Sequence, residues 1–187
     1  MLFGCLQRLQ KKTQAIMNEK ALYTLNYGVY IVSAKNRDKL NGQIANVVFQ
    51  VVAEPPKVAV CLNRENLTHA LVSESGFFNI SILGECCTMK LIGNFGFKSG
   101  RDIDKFKDCD YMIGKNGAPI VTDFAVAYLE CEIENSMDLG DYTLFVGMVT
   151  GGDILQDEVP MTYSYYHREL KGKEPKAAPT YRKKEVN

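Results

Sequence analysis

The sequence predicts a mostly β domain, a closed sheet of Greek-key type with short helices at its periphery. Three observations carry that reading. Five or more apolar runs of strand length are bounded by Gly, Pro, Asn and Asp. The short helical patterns between them show no regular β-α-β alternation, and no G-x-G-x-x-G follows a strand, which disfavours a Rossmann fold. The central stretch Leu40 to Thr68, LNGQIANVVFQVVAEPPKVAVCLNRENLT, reads as two strands joined at Glu54-Pro55-Pro56. Periodicity by itself stops at a mostly β barrel or sandwich.

Taken in order, Met1 to Ile16 differs in character from the rest of the chain. Leu2, Phe3, Leu6 and Leu9 form a weakly amphipathic face without the cationic start and longer apolar centre of a signal peptide. These sixteen residues are expected to be an N-terminal extension of unknown role, and 17–187 a single domain. Asn18 is a candidate N-cap for a short helix to Leu25. Tyr27 to Ser33 is a strand, and Lys35 to Lys39 a charged hairpin tip.

Ile44 to Ala53 has ten residues, with four valines, one Ile and one Phe, and is expected to be one strand. Lys57 to Leu62 is its partner. Asn66 to Ser75 is a helix stopped by Gly76. Phe77 to Leu83 is a strand, and Thr88 caps a helix to Phe95. Gly93, Gly96 and Gly100 punctuate a loop, and Asp102 to Phe106 is expected to be a helical turn. Tyr111 to Lys115, Gly117 to Val121, Ala125 to Glu134 and Tyr142 to Val149 are strand material, with a turn expected at Gly151-Gly152-Asp153. From Met161 the chain is aromatic, then basic and proline-containing. Lys171 to Pro179 lacks core-forming residues and is expected to be an extended arm over the active site or a second subunit.

Bulk properties exclude several classes. The 187 residues suit one domain with a full-sized core. Lys and Arg total 22 and so do Asp and Glu, so no global field points to nucleic acid or an anionic membrane. No apolar run reaches the ~18 residues of a bilayer span. Six cysteines occur without a C-x-x-C, which removes the usual thiolate zinc and thioredoxin patterns. A reduced, cytoplasmic chain with free thiols is the simplest account.

The residues that point to chemistry cluster in two stretches. Gln43, Asn46, Gln50 and Asn63 are amides on apolar strands, and an amide-rich edge beside an apolar wall can grip a flat, polar-rimmed aromatic ligand. Spacing alone reads them equally as solvent-facing alternates of one sheet face. Arg64, Asn66 and Thr68 open a helix, where free N–H groups and the dipole favour an anion. Lys98-Ser99-Gly100-Arg101 sets two cations around a hydroxyl and a glycine, which also describes an ordinary solvated loop. Cys61 has no histidine on a recognisable partner motif and reads as a small apolar residue. His69 and His167 are the only histidines. They are too few for a typical zinc site without thiolates.

Four blocks in order, NGQIANVVFQV, EPPKVAVCLNRENLTH, GNFGFKSGRDIDKF and GAPIV, resemble the flavin reductase-like family of FMN-binding split barrels. The nearest likeness is to flavoredoxin-type flavin reductases and to the flavin domain found beside rubredoxin in anaerobes, over roughly Asn18 to Tyr181. The resemblance implies FMN as cofactor, with Thr68, Lys98 and Ser99 on its phosphate side and the strand Gln43, Ile44, Ala45, Asn46, Val47 along the isoalloxazine edge. Cys61, Leu62 and Asn63 would lie on the neighbouring strand, with Asn66, Gly100 and Arg101 near the phosphate and Phe97 and Tyr165 as stacking candidates.

Electrons or a hydride would enter at flavin N5 from NADH or NADPH and pass to a small acceptor or a redox protein such as rubredoxin or a flavodiiron protein. A homodimer is implied, and no catalytic acid or base is required. One departure stands out. Many members carry Gly-Asp-His beside the nicotinamide, and here the triplet is Gly140-Asp141-Tyr142. Tyrosine can stack but does not titrate near neutrality. An FMN electron carrier without direct NAD(P)H oxidation is therefore the alternative, with Tyr142 and His167 as nicotinamide-side candidates.

Overall fold

The computed structural model describes residues 18–181, so the expected extension 1–16 lies outside the described residues. After a 3-10 helix at Glu19–Thr24 come β1 (Tyr30–Asn36), β2 (Lys39–Ala45), β3 (Val48–Val52) and β4 (Lys57–Asn63). Then come α1 (Leu67–Ser75), β5 (Phe77–Leu83), α2 (Met89–Phe97), β6 (Tyr111–Ile113) and β7 (Pro119–Val121). The chain continues with β8 (Ala125–Asp138), β9 (Tyr142–Ile154) and α3 (Tyr163–Arg168). Seven strands form one antiparallel sheet in the order β2-β1-β5-β8-β9-β4-β3, and β6 pairs with β7 separately.

The two outermost strands of that sheet, β2 and β3, are consecutive in sequence, with only Asn46 and Val47 between them. One bend of the chain therefore joins the two edges and wraps the sheet into a barrel. The Cys61 amide donates to the Val47 carbonyl at 3.1 Å and carries the pairing into the bend. This corrects the single strand expected over Ile44 to Ala53. The apolar, β-branched run continues through the bend, so composition does not mark it.

Three further readings change. Gly93 and Gly96 lie inside α2 rather than in a loop, and only Gly100 of the three falls beyond it. Gly151 and Gly152 lie inside β9 rather than in a turn, paired with Glu130 and Leu129 of β8. A Cβ on Gly151 would stand 3.0 Å from Glu130 Oε1, and one on Gly152 2.7 Å from the Tyr128 carbonyl, so these glycines permit close strand approach. Asp102 to Phe106 forms turns and no helix; the amides of Asp102 and Ile103 both converge on the Ser99 carbonyl.

Elsewhere the local chemistry works as its residues dictate. Thr88 caps α2 by accepting from the Leu91 amide, and Gly76 ends α1 at φ 77°. Alternation along β1 feeds two cores, as the period of two requires. Val32 and Ala34 join Val60, Leu62, Phe78 and Phe145 inside the barrel, where α1 contributes Leu71 and Val72. Val29 and Ile31 face outward onto Leu91, Ile92 and Phe95 of α2. Each such buried Val, Leu, Ile or Phe side chain contributes about 1.5–3 kcal/mol. Residues 171–179 contain no helix or strand, but the segment is not extended throughout as expected: the Ala178 amide donates to the Pro175 carbonyl at 2.9 Å in a turn. No helix among the described residues is long and apolar enough to cross a membrane.

Candidate functional site

The bend between β2 and β3 borders a cavity of about 400 Å³, within the size range of small-ligand sites. Its floor comes from β2, the start of α1 and the loop after α2. Asn41 is buried, and its Nδ2 donates to Thr68 Oγ1 at 2.8 Å, while Asn41 Oδ1 and Gln43 Oε1 are buried acceptors without a partner. Such atoms are costly unless a ligand or water meets them. At the N-cap of α1, Asn66 is extended and makes no side-chain cap, and no acidic residue occupies the first turn. The positive end of that helix is thus left available.

The glycine loop closes the same pole. The Arg101 amide donates to Ser99 Oγ at 3.1 Å, and Arg101 Nη1 donates to the Glu65 carbonyl, also at 3.1 Å, tying the loop to the approach of α1. Gly100 sits where any Cβ would overlap Asn41 Oδ1. The apolar wall is Ile44 and Ala45 of β2, Cys61 of β4, and Gly96 and Phe97 at the end of α2. Burial pushes the Cys61 thiol up, away from thiolate character, in line with a packing role.

The tail forms the roof. Residues 175–179 line the cavity. Asn46 Nδ2 donates to Thr180 Oγ1 at 2.7 Å, and the Tyr142 hydroxyl donates to the Ala178 carbonyl at 3.2 Å. The arm thus lies over the cavity of its own chain.

Of the site residues read from the sequence, Gln43, Ile44, Ala45, Asn46, Cys61, Asn66, Thr68 and the run Phe97 to Arg101 meet at this cavity. Others do not line it. Val47 lies in the bend, and Leu62 belongs to the barrel core. Asn63 Oδ1 accepts from the Glu65 amide at 2.9 Å and shapes the turn before α1. Arg64 is exposed and pairs with Asp138 at 2.8 Å. Tyr165 packs against the outer core. Tyr142 meets the underside of the roof. His167 lines a second cavity, of about 530 Å³, between the 3-10 helix and α3, with Nδ1 at 2.9 Å from the Gly172 carbonyl. His69 Nε2 lies 2.8 Å from Thr143 Oγ1, and burial together with the Arg64 charge lowers its pKa.

Sequence reasoning missed Asn41, Leu67, Phe95, Gly96, Lys105 and Tyr163 in the lining. Asn41 had a signal: it lies two residues before Gln43 on one strand, and so on the same face. Lys105 carried none, since a lysine four residues beyond Arg101 reads as solvated.

Comparison with known proteins identifies the family. Residues 22–174 match the flavin reductase like domain. A high molecular weight rubredoxin of Moorella thermoacetica is 46% identical over 88% of this chain and 72% of its own length. A ferric-chelate reductase (NAD(P)H) of Archaeoglobus fulgidus is 43% identical over 88% of this chain and 98% of its own length. Among solved structures, a Streptomyces globisporus NADH:FAD oxidoreductase in complex with NAD and FAD fragments is 27% identical, with a TM-score of 0.68 over 76% of this chain and 83% of the other. An FMN-binding protein from Thermus thermophilus is 25% identical, with a TM-score of 0.64 over 71% of this chain and 74% of the other. With a matched domain that covers most of its length and relatives above 40% identity, the chain belongs to the flavin reductase-like family, on the split-barrel fold.

Proposed function

We propose that the cavity binds FMN and that the protein is an NAD(P)H-dependent flavin reductase, passing electrons to a small acceptor or a redox protein. One observation carries the reading: an anion-seeking pole, an apolar slot and unpartnered amide acceptors share a single cavity. The residues fit the cofactor. The first-turn amides of α1, the Thr68 and Ser99 hydroxyls and the Lys98 and Arg101 charges suit a phosphate. Ile44, Ala45 and Cys61 offer a flat apolar surface, and Gln43 Oε1 can accept from an N–H on the ring edge. Bound flavin supplies the hydride- and electron-transfer chemistry. The chain binds, orients and screens it from water. No side chain at the cavity is asked to act as acid or base.

A relative named as a rubredoxin supports a redox protein as acceptor, and a relative named for NAD(P)H supports a nicotinamide donor. The exposed apolar run Phe49, Val51 and Val52 on β3 supports a homodimer, read by the mass of the eluting species in light scattering. The described cysteines, all free thiols, fit a cytoplasmic location.

A specific contact favours the second reading, an electron carrier that does not oxidise NAD(P)H itself. Tyr142 stands where the family resemblance implies a histidine, and its hydroxyl holds the roof down through Ala178. An absorption spectrum of the purified protein, followed by anaerobic titration with NADH and NADPH, separates the readings. Flavin bands that bleach with either nucleotide support the reductase. Bands that persist support the carrier. A colourless protein that takes up no added FMN sinks both.

A further inference from the structure

Resting on the reading of the cavity as a flavin site, we propose that His167 and Glu174 form a proton-controlled latch on its roof, which sets how fast flavin enters and leaves. His167 belongs to α3, and Glu174 immediately precedes the segment that lines the cavity. His167 Nδ1 lies 2.9 Å from the Gly172 carbonyl, and a carbonyl can only accept, so Nδ1 carries a proton. The other ring nitrogen, Nε2, lies 3.6 Å from Glu174 Oε1. In the neutral ring that nitrogen turns a lone pair toward the carboxylate, and the two repel. In the charged ring it turns an N–H toward it, and the contact becomes an ion pair.

A short chain of contacts carries this to the cavity. Glu174 Oε1 also accepts from Thr180 Oγ1 at 3.4 Å, and Thr180 Oγ1 accepts from Asn46 Nδ2 at 2.7 Å. Asn46 lines the cavity, and Pro179 lines both it and the second cavity, where His167 stands. Among the described residues Glu174 is the one carboxylate that lines the second cavity. The other ionisable groups around the imidazole are Tyr163 and Tyr166, with ring centroids at 4.4 and 5.1 Å, and Arg168, Tyr23, Tyr27 and Tyr181 around the cavity. Burial and the Glu174 charge push the Tyr163 hydroxyl up, and burial pushes up that of Tyr166, so neither switches near neutrality. Arginine stays charged throughout, whereas histidine as a class changes charge between about pH 5 and 8. Protonation and closure favour each other. The roof is therefore held most firmly at the acid end of that range and loosens as pH rises through it.

A merely structural tie would act alike at every pH, and that separates the two roles. Release of riboflavin, which lacks a phosphate and its ionisation near pH 6, would be followed by fluorescence between about pH 5 and 8. The full-length wild type, His167→Gln and Glu174→Gln would be compared, with FMN and thermal melts alongside. Glutamine at 174 keeps an acceptor for Thr180 without the charge. The proposal expects wild-type release to quicken roughly three- to fivefold as pH rises, as for loss of one partly exposed ion pair. Both variants should release at the fast rate throughout, with equilibrium affinity held within about twofold. A wild-type rate that does not change with pH, or a variant that keeps the step or releases slowly at every pH, would overturn it. If one variant melts early, the wild-type step and the other variant still decide. Wild-type protein that takes up neither flavin overturns the reading of the cavity, a separate result. Trypsin cleavage after Lys176 then judges the latch, and a wild-type rate in constant ratio to that of His167→Gln across the range would overturn it.

Discussion

The floor and the roof of the cavity are built on different plans. The floor draws on residues between Asn41 and Lys105, held by the Asn41–Thr68, Arg101–Glu65 and Lys105–Gly42 hydrogen bonds. Its members are buried or anchored on strands and helix ends. The roof is an irregular segment rooted after α3 and held by the Asn46–Thr180 and Tyr142–Ala178 hydrogen bonds. The difference predicts different tasks: the floor should set affinity for the proposed ligand, and the roof access to it. Regions with few buried apolar contacts open at low free-energy cost, and lids are drawn from them.

Substitution at Gly100 tests the floor most severely. The Cβ of Gly100→Ala would overlap Asn41 Oδ1 and stand 3.3 Å from Leu67 Cδ2. Asn41 cannot swing aside freely, because it is buried and bonded to Thr68. Overpacking of this kind costs about 1–3 kcal/mol, and FMN affinity should fall by up to roughly 100-fold in a fluorescence-quenching titration. Gly93→Ala is the control. A Cβ there meets nothing within 4 Å, and alanine favours the helix by up to about 1 kcal/mol, so affinity should hold and the melting temperature should rise. Comparable loss in both variants would deny the floor its special status.

That contrast also explains what the sequence made legible. The barrel strands were readable because β-branched runs and the Pro-Pro turn act locally. The meeting of the start of α1 with the glycine loop was readable because both lie within short, ordered blocks. The bend at Asn46-Val47 was hidden because it interrupts an apolar run without a change of composition. The roof was hidden for another reason. Asn46 meets Thr180 across 134 residues, and no local pattern encodes such a pairing. Lys105 and Glu130 show a third limit: both are charged and buried, and only the three-dimensional setting distinguishes them from solvated side chains.

The pH dependence of binding tests the floor next. With the cavity empty Lys105 titrates at about 8, and a phosphate beside it raises that value. Its contribution is therefore complete below pH 8 and fades as pH climbs through the raised value. FMN affinity should decline roughly tenfold above pH 8, as one charge-assisted hydrogen bond is lost. The phosphate itself does not confound this, because its second ionisation lies near 6. Lys98 and Arg101 share the cavity and Asp104 is adjacent in sequence, so Lys105→Gln provides the reference and should flatten the profile. Riboflavin should show no such decline.

The roof responds to a milder change. Thr180→Val removes the acceptor of Asn46 Nδ2 and leaves a buried amide without that partner. A loss of about 1 kcal/mol in the closed form should raise trypsin cleavage after Lys176 about fivefold, with FMN affinity unchanged within about twofold. If FMN affinity collapses instead, the roof is part of the grip and the division of labour is wrong.

The smallest expected effect concerns two arginines that the sequence placed in one group. Arg64 lies three residues before Leu67, the first residue of α1, and resembles a phosphate ligand as readily as Arg101 does. In the fold its guanidinium turns outward to Asp138, with both side chains at least half exposed. Exposed pairs contribute little, and the contact is screened by salt. The Gly140 amide and Arg64 together hold the Asp138 carboxyl below its ordinary value, which does not involve the cavity. Arg101, by contrast, lines the cavity and ties its loop to the Glu65 carbonyl. Arg64→Ala should therefore leave FMN affinity within about twofold, whereas Arg101→Ala should lower it roughly tenfold, an effect that added salt should diminish. Equal effects from the two would place the anion outside the pole formed by α1 and the glycine loop, and the separation of floor from surface would fail with it.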